Sequence, residues 1–496
     1  MLKCKNSEKL TMSKKIYITT TLPYVNAEPH VGFAMEIIRA DAIARYHEAM
    51  GNEVFFNTGT DEHGVKIWEK AKAEGKDVQD YVDFFAEKFK GLSEVLNLSE
   101  NINFIRTTDE KHVAATQKFW QECDKNGYIY KAPYEAKYCV GCELEKTDSE
   151  LVEGKCPIHP DREIEIIKEE NYFFKFSEFT QPLLDYYEQN KTFVLPDFRL
   201  NEITKFVERG LTDFSISRKK EKMPWGVPVP GDDTQVMYVW FDALVNYIST
   251  LDWPDGENFN KFWNEGFVIQ IAGKDNLRQQ SAMWQAMLMS VGIKNTDKVI
   301  INGFLNGPDG KKMSKSLGNV INPYDAVEVV GSDALRFYLT YNVSSFEDSP
   351  ISMDMIKESY NANLANGIGN LTNRVVKMAE NYDVVVALPE IEDVWIDKEY
   401  VGQEYHDAFK NFEVAKAIEY LMKEVSEMDY FIAKEEPFKK IKVDEISAKE
   451  DVARLILNLF YVGVLLSPFM PDASAKIVEA VGTRTTPKEP IFKRLD

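Results

Sequence analysis

The chain has 496 residues, 44% of them hydrophobic and 28% charged, which is enough for two to four domains with a sizeable core and fits a soluble globular protein. It has no run of about eighteen apolar residues, and its charged N-terminus has no apolar run behind it, so neither a spanning helix nor a secretory signal is expected. The net charge of −21 argues mildly against nucleic acid as a partner, yet net charge governs solubility and steering and leaves room for a local basic face. The five cysteines are odd in number and three of them cluster in metal-like spacing, so the cytoplasm is the expected compartment.

Residues 1–14 read as an N-terminal extension, with Met1 or Met12 as the start. The β-branched run from Ile16 to Thr21 predicts a buried strand. A Pro/Asn/Pro loop follows, then a helix with Ala34, Ile38, Ala42 and Arg45/Tyr46 at helical spacing, closed by Gly51. "EVFFNTGTDEHG" is a second strand running into a polar loop at Thr58–Gly64. Strand, helix, strand is a βαβ unit, which predicts a parallel sheet with its site at the carboxyl ends of the strands. The stretch 119–230 differs in character, with a cysteine cluster, many aromatics and Pro/Gly punctuation. The strand-and-loop grammar then returns in "GFVIQIAGKDN" and "DKVIINGFLNGPDGKKMSKS". Beyond about residue 355 the pattern is helical, with Ala408, Phe412, Ala415, Ile418, Met422 and Val425 forming one apolar stripe. "DVARLILNLFYVGVLLSPFMP" reads as the centre of a helical bundle.

Three places carry chemistry. His30 and Gly32 stand at the mouth of the first helix, where unpaired N–H groups and the dipole attract phosphate. A His at a helix start is by itself more often a simple cap. A second phosphate-friendly loop, with Lys311, Lys312 and Lys315, lies at the end of another strand of the same sheet. Together the two suggest a nucleoside triphosphate gripped from two sides. The third place is "CVGC" followed by "CPIH": Cys139, Cys142, Cys156 and His159 supply four N/S ligands that predict one tetrahedral, structural Zn2+ per chain. Cys4 and Cys123 are left over as plain thiols.

"HVGF" and "KMSKS", in that order and separated by an insertion, resemble the two signatures of class I aminoacyl-tRNA synthetases. With "GTDEHG", "YVWFDALVNY", "IAGKDNLRQQ", "GSDALRFYL" and "NLANGIGNLTNR", the chain resembles the methionyl-tRNA synthetase family from Lys15 to its C-terminus. The resemblance implies an α/β fold: a Rossmann-like parallel-sheet catalytic domain (15–118 and 231–325) with a zinc-bearing insertion (119–230). A linker and stem-contact region (326–357) and an all-α helical, anticodon-binding bundle (358–496) follow. It implies activation of L-methionine with ATP and Mg2+, then transfer to tRNA(Met), initiator included.

His30, Lys312 and Lys315 are the catalytic residues so implied, and His30, Gly32, Lys312, Ser314, Lys315 and Ser316 hold ATP. The loop's lysines would stabilise charge on the leaving pyrophosphate. Leu22, Trp240 and Tyr247 line the methionine pocket. Asp61 and Asp275 pair the ammonium group, and Arg218 pairs either the carboxylate or the acidic loop at Asp61/Glu62. Asn370 and Arg374, on one helix face, read unstacked anticodon bases, with Phe438 stacking and Lys439, Lys440 and Lys442 meeting phosphates.

Three positions depart from the family pattern: Phe33 in place of a second histidine, Gln280 in place of a histidine near the sulfur, and Phe438 in place of a tryptophan. Two rival functions stay open: a methionine-adenylating ligase for a non-tRNA acceptor, and an inactive tRNA-binding paralogue, the latter kept alive by Phe33. The insertion is too short for the editing domain of the leucine, isoleucine and valine enzymes. A monomer is expected, since the chain stops after the bundle.

Overall fold

The computed structural model describes residues 13–142, 144–146, 150–311, 313, 320–396 and 401–495. Six strands form the central sheet: β1 (Lys15–Thr20), β2 (Glu53–Thr60), β3 (Ile102–Arg106), β4 (Val194–Leu195), β5 (Phe267–Gly273) and β6 (Lys298–Asn302). Their spatial order is β3-β2-β1-β5-β6-β4, and every pair is parallel. Strand order therefore reverses between β1 and β5, the position where open α/β sheets bind ligands. "KIYITT" is buried over five of its six residues, as expected of a parallel strand covered on both faces.

Helix α1 (Val31–Ala49) leaves β1 and crosses back to β2. Fourteen of its nineteen residues are buried, so the apolar stripe seen in the sequence is one side of a helix enclosed nearly all round. Glu36, Arg39 and Asp41 are among the buried ones. Helix α2 (Glu110–Lys125) leads into the insertion, whose long strands Ile129–Cys139 and Glu165–Phe174 pair antiparallel. The chain comes back to the main sheet inside this stretch, because Val194–Leu195 pairs with β6 at its edge. A small antiparallel sheet then delivers the chain to α3 (Val239–Leu244) and α4 (Asn246–Ser249) beside the crevice.

The helical half contains α5 (Ser332–Phe337), α6 (Asn370–Asn381), α7 (Val414–Glu435), α8 (Glu445–Leu465) and α9 (Pro471–Thr483). The stripe predicted from Ala408 to Val425 is split over two helices. The first, Gln403–Lys410, is closed by Phe412 at φ +59° and by the Glu413 N–H returning to Ala408 O at 2.8 Å. This is the usual left-handed helix terminator, with a phenylalanine where glycine is commoner.

A buried arginine joins the two halves. Arg336 on α5 is fully buried and donates to Asp41 Oδ2 (2.6 Å), Pro468 O (2.7 Å), Phe469 O (2.8 Å) and Leu96 O (3.2 Å). Such a charge is tolerated in the interior only because its donors are satisfied. Arg39 repeats the device, gripping the carbonyls of Leu339, Val343, Ser344 and Ser345 and the Asn302 side chain. No described helix is long and apolar enough to cross a membrane.

Candidate functional site

A cavity of about 570 Å3 opens at the β1/β5 switch point. Of the residues expected at an adenylation site, Leu22, His30, Gly32, Asp61, Trp240, Tyr247, Asp275 and Gln280 all line it. They arrive from the loop after β1, the start of α1, the end of β2, helices α3 and α4, and the turn after β5. Trp240 and Tyr247 reach the same cavity from two successive short helices.

His30 is the N-cap of α1, and its Nδ1 accepts from Gly32 N at 3.0 Å. A neutral imidazole that accepts at Nδ1 carries its proton on Nε2, the nitrogen suited to donate to a phosphate oxygen. A Cβ at position 32 would stand 2.8 Å from His30 Cε1, so glycine is needed for the ring to lie over the backbone. Phe33 lines the cavity while packing edge-on against Phe89, ring centroids 5.4 Å apart. The second basic loop is described only in part. Met313 and Val320 line the cavity, whereas Lys312, Ser314, Lys315, Ser316 and Gly318 lie outside the described residues.

Gln280 donates through Nε2 to Tyr247 Oη at 2.6 Å. Burial raises the Tyr247 hydroxyl well above its usual range, and Glu36 and Asp61 add to the rise. Trp240 Nε1, Asn246 Oδ1, Gln280 Oε1 and Asn302 Nδ2 are buried with no partner among the described residues. All four residues line the cavity, so its apolar wall carries unmet polar groups that suit a ligand of mixed character.

Arg218 is placed elsewhere. It is buried, donates to Ser215 Oγ and Ser217 O at 2.7 Å each, and its guanidinium lies 4.5 Å from the Tyr238 ring. It is not among the described cavity-lining residues. Glu62 of the acidic loop is held instead by Arg106, through Nε at 2.7 Å and Nη2 at 2.8 Å.

Behind the Trp240 wall lies a feature the sequence did not suggest. His63 Nδ1 and His112 Nε2 reach the two oxygens of Asp242 at 2.6 and 2.8 Å. Burial would raise the Asp242 carboxyl, but the His63 charge and both imidazole N–H groups outweigh it and hold the group at about 2. Asp242 thereby ties the loop bearing Asp61 to the helix bearing Trp240. Glu36, also unforeseen, lines the cavity from α1. The one signal for it was an acid at an inward position of a helix with no polar face.

The four predicted metal ligands converge. Their donor atoms all lie within 4.8 Å of one another, with Cys142 Sγ 3.5 Å from Cys156 Sγ and 3.3 Å from His159 Nδ1, and Cys139 Sγ 3.9 Å from His159 Nδ1. A tetrahedral zinc with Zn–S of about 2.3 Å and Zn–N of about 2.0 Å needs donor separations of about 3.5–3.8 Å, so the set fits the ion. The His159 ring lies flat against Gly141, where a Cβ would come within 2.4 Å of Cγ. Cys142 also lines the cavity at the switch point, so the knuckle forms part of its wall.

Residues 16–164 and 158–376 match the family model for class I tRNA synthetases (M), and 389–491 match the anticodon binding domain of methionyl tRNA ligase. A methionine–tRNA ligase of Thermotoga maritima is 37% identical over 97% of this chain and 80% of its own length. One from Rickettsia typhi is 36% identical over 98% and 96%. The chain belongs to the methionyl-tRNA synthetase family. The methionyl-tRNA synthetase of Mycobacterium tuberculosis in complex with methionyl-adenylate superposes with a TM-score of 0.87 at 32% identity, covering 97% of this chain and all of that one. The free-state structure of that enzyme gives 0.79.

In this methionyl-tRNA synthetase-family chain the expected anticodon residues sit in the helical half. Asn370 opens α6 and is exposed, and Arg374 follows one turn later, with Nη1 2.8 Å from Asp429 Oδ1 on α7. Phe438 is 45% exposed, with the Lys439 ammonium 5.9 Å from its ring centre. Lys439 and Lys440 pair with acids of their own segment, Glu436 and Glu435, and Lys440 also with Asp451. Lys442 is exposed. Cys123 is buried on α2 with Sγ 3.2 Å from Ser290 Oγ, and burial pushes its thiol up to about 12, as for an inert core cysteine.

Proposed function

We infer that the chain is a methionine–tRNA ligase. The methionine carboxylate attacks the α-phosphorus of ATP, a carboxyl-oxygen–phosphorus bond forms and the bond to pyrophosphate breaks. The 3′-terminal hydroxyl of tRNA(Met), initiator included, then takes the methionyl group and AMP leaves. The observation that carries this reading is the switch-point cavity, where His30, Gly32, Asp61, Trp240, Tyr247, Asp275 and Gln280 meet.

In this reading His30 Nε2 donates to a phosphate oxygen. Gly32 leaves the backbone open to the nucleotide, and Lys312 and Lys315, with Ser314 and Ser316, close over the β and γ phosphates. Charge grows on the leaving pyrophosphate, so fixed cations there favour the transition state over the ground state. Mg2+ enters with ATP as part of the substrate and neutralises phosphate charge. Leu22, Trp240 and Tyr247 enclose the thioether, Gln280 orients the Tyr247 hydroxyl, and Asp61 and Asp275 take the ammonium group. Arg218 acts through the wall it packs into rather than on the substrate carboxylate.

Zinc, held by Cys139, Cys142, Cys156 and His159, would supply a cross-link that orders the knuckle beside the cavity. Its four ligands leave no open position. Asn370, Arg374 and Phe438 would meet the anticodon. The remaining parts of the proposal are a cytoplasmic monomer and the division at 119–230 and 358–496.

Methionine-dependent exchange of labelled pyrophosphate into ATP, followed by charging of tRNA(Met), tests the reading. Exchange without charging would make the acceptor something other than tRNA, and neither would reduce the chain to a binding protein.

A further inference from the structure

Glu36 is a buried acid of the cavity wall to which the mechanism gives no task. It stands on α1, six residues beyond His30, at 6% exposure. Its Oε1 accepts from Thr21 N at 2.8 Å and from Thr21 Oγ1 at 2.5 Å. Thr21 directly follows β1 and Gly273 ends β5. These two strands flank the crevice, and Thr21 N in turn donates to Ile271 O on β5 at 3.1 Å. One side chain therefore holds the residue that links the ends of β1 and β5, at the point where strand order reverses. Leu22 follows Thr21 by a single residue, and Asp275 follows the end of β5 by two.

We propose that Glu36 is a positioning residue for adenylate formation, a brace at the switch point that fixes Thr21 and with it the Leu22 side of the cavity. It touches neither reacting atom. It acts by holding the chain as it leaves β1, which is otherwise tied to β5 by main-chain pairing alone. This rests on the adenylation reading of the cavity.

The chemistry of the brace follows from its surroundings. Burial pushes the Glu36 carboxyl up to about 8 against the donors of Thr21, and Asp275 adds to the rise. The other titrating group facing it is the Tyr247 hydroxyl from α4, with Asp61 acting on that same hydroxyl. At neutral pH the brace is therefore uncharged, and the crevice floor carries one fewer negative charge where an anionic nucleotide must lie. The folded value is raised above the unfolded 4.5, so the folded state holds the extra proton. Glu36 thus removes stability as pH rises from about 4.5 to about 8, with no further change above that.

Wild type, Glu36→Ala and Glu36→Gln, all full length, decide the matter through two readouts. In pyrophosphate exchange, Glu36→Ala should lose on the order of thirty-fold in kcat/KM, with raised KM for methionine and ATP, because sub-ångström misplacement is costly. Glu36→Gln should recover to within about five-fold of wild type, since its amide oxygen accepts both Thr21 bonds. In thermal unfolding without substrates, wild type should lose stability relative to Glu36→Gln between about pH 4.5 and 8. If Gln is as damaging as Ala, the site uses the charge and the brace is overturned. If Ala behaves as wild type, the brace holds nothing. Should wild type show no exchange, the adenylation reading fails, and the unfolding comparison alone decides: the pH-dependent difference supports the brace and its absence overturns it.

Discussion

Replacing Gly141 with alanine tests whether the cysteine–histidine cluster is a zinc site whose geometry is set by the backbone. The added Cβ would stand 2.4 Å from Cγ, 2.7 Å from Cδ2 and 2.8 Å from Nδ1 of His159, whereas ordinary contact begins at 3.4 Å. The ring must therefore retreat by about 1 Å, the difference between 3.4 and 2.4 Å. Metal–ligand distances tolerate only about 0.2 Å, so the ion keeps three thiolates and loses its imidazole. Disturbing groups one layer outside a metal typically costs 10–100-fold in affinity. Displacing a ligand should cost at least about that, or on the order of 1.4–2.8 kcal/mol at 1.4 kcal/mol per tenfold. Wild type should bind one zinc per chain, and competition against a chromogenic chelator should show the loss in Gly141→Ala. Cys123→Ala, which removes a buried thiol outside the cluster, should keep wild-type zinc affinity. Because Cys142 belongs to the cavity wall, the metal-poor variant should also lose part of its exchange rate. Wild-type zinc affinity in Gly141→Ala would refute the geometric argument, and freshly reduced wild-type protein without metal would refute the site.

Lys315→Ala should slow pyrophosphate exchange by about 2–4 kcal/mol of barrier while leaving the equilibrium affinity for methionine nearly intact; an unchanged exchange rate would remove Lys315 from the reaction. Phe438→Ala should weaken tRNA binding by about 1–3 kcal/mol, the value of one stacked base, and leave exchange untouched, so equal charging kinetics for the two proteins would exclude stacking. Light scattering at micromolar concentration should give the 57.0 kDa mass of one chain, in keeping with repulsion between copies carrying −21 charges; a doubled mass would show an interface.

How much of this was legible beforehand depended on range. The βαβ grammar was readable because Ile16 to Thr21 and the following apolar helix declare themselves within a few residues. The cysteine–histidine cluster was readable because Cys139/Cys142 and Cys156/His159 are two close pairs. The break at Phe412 was not, since the apolar spacing continues across it and only the backbone at φ +59° separates the helices. Nor was the partner of Glu62: Arg106 and Arg218 are equally plausible in a string of letters, and only the fold puts Arg106 at the end of β3 beside it. Glu36, Asp242, His63 and His112 were missed for the same reason. Each draws its meaning from residues far away in sequence.

The parallel pairing of β1 with β5 joins Thr20 to Ile271, neighbours across the cavity but about 250 positions apart along the chain. At ~5–20 residues per second, a ribosome needs on the order of ten to fifty seconds to make the second strand after the first has emerged. During that time β1 can pair with β2 on one side only. Its other edge, flanked by Ile16 and Ile18, offers open backbone donors and acceptors to any passing strand. The non-local closure also carries a high contact order, which slows folding. The edge that becomes the floor of the catalytic crevice is thus open to wrong pairing for as long as the nascent chain is being extended to β5.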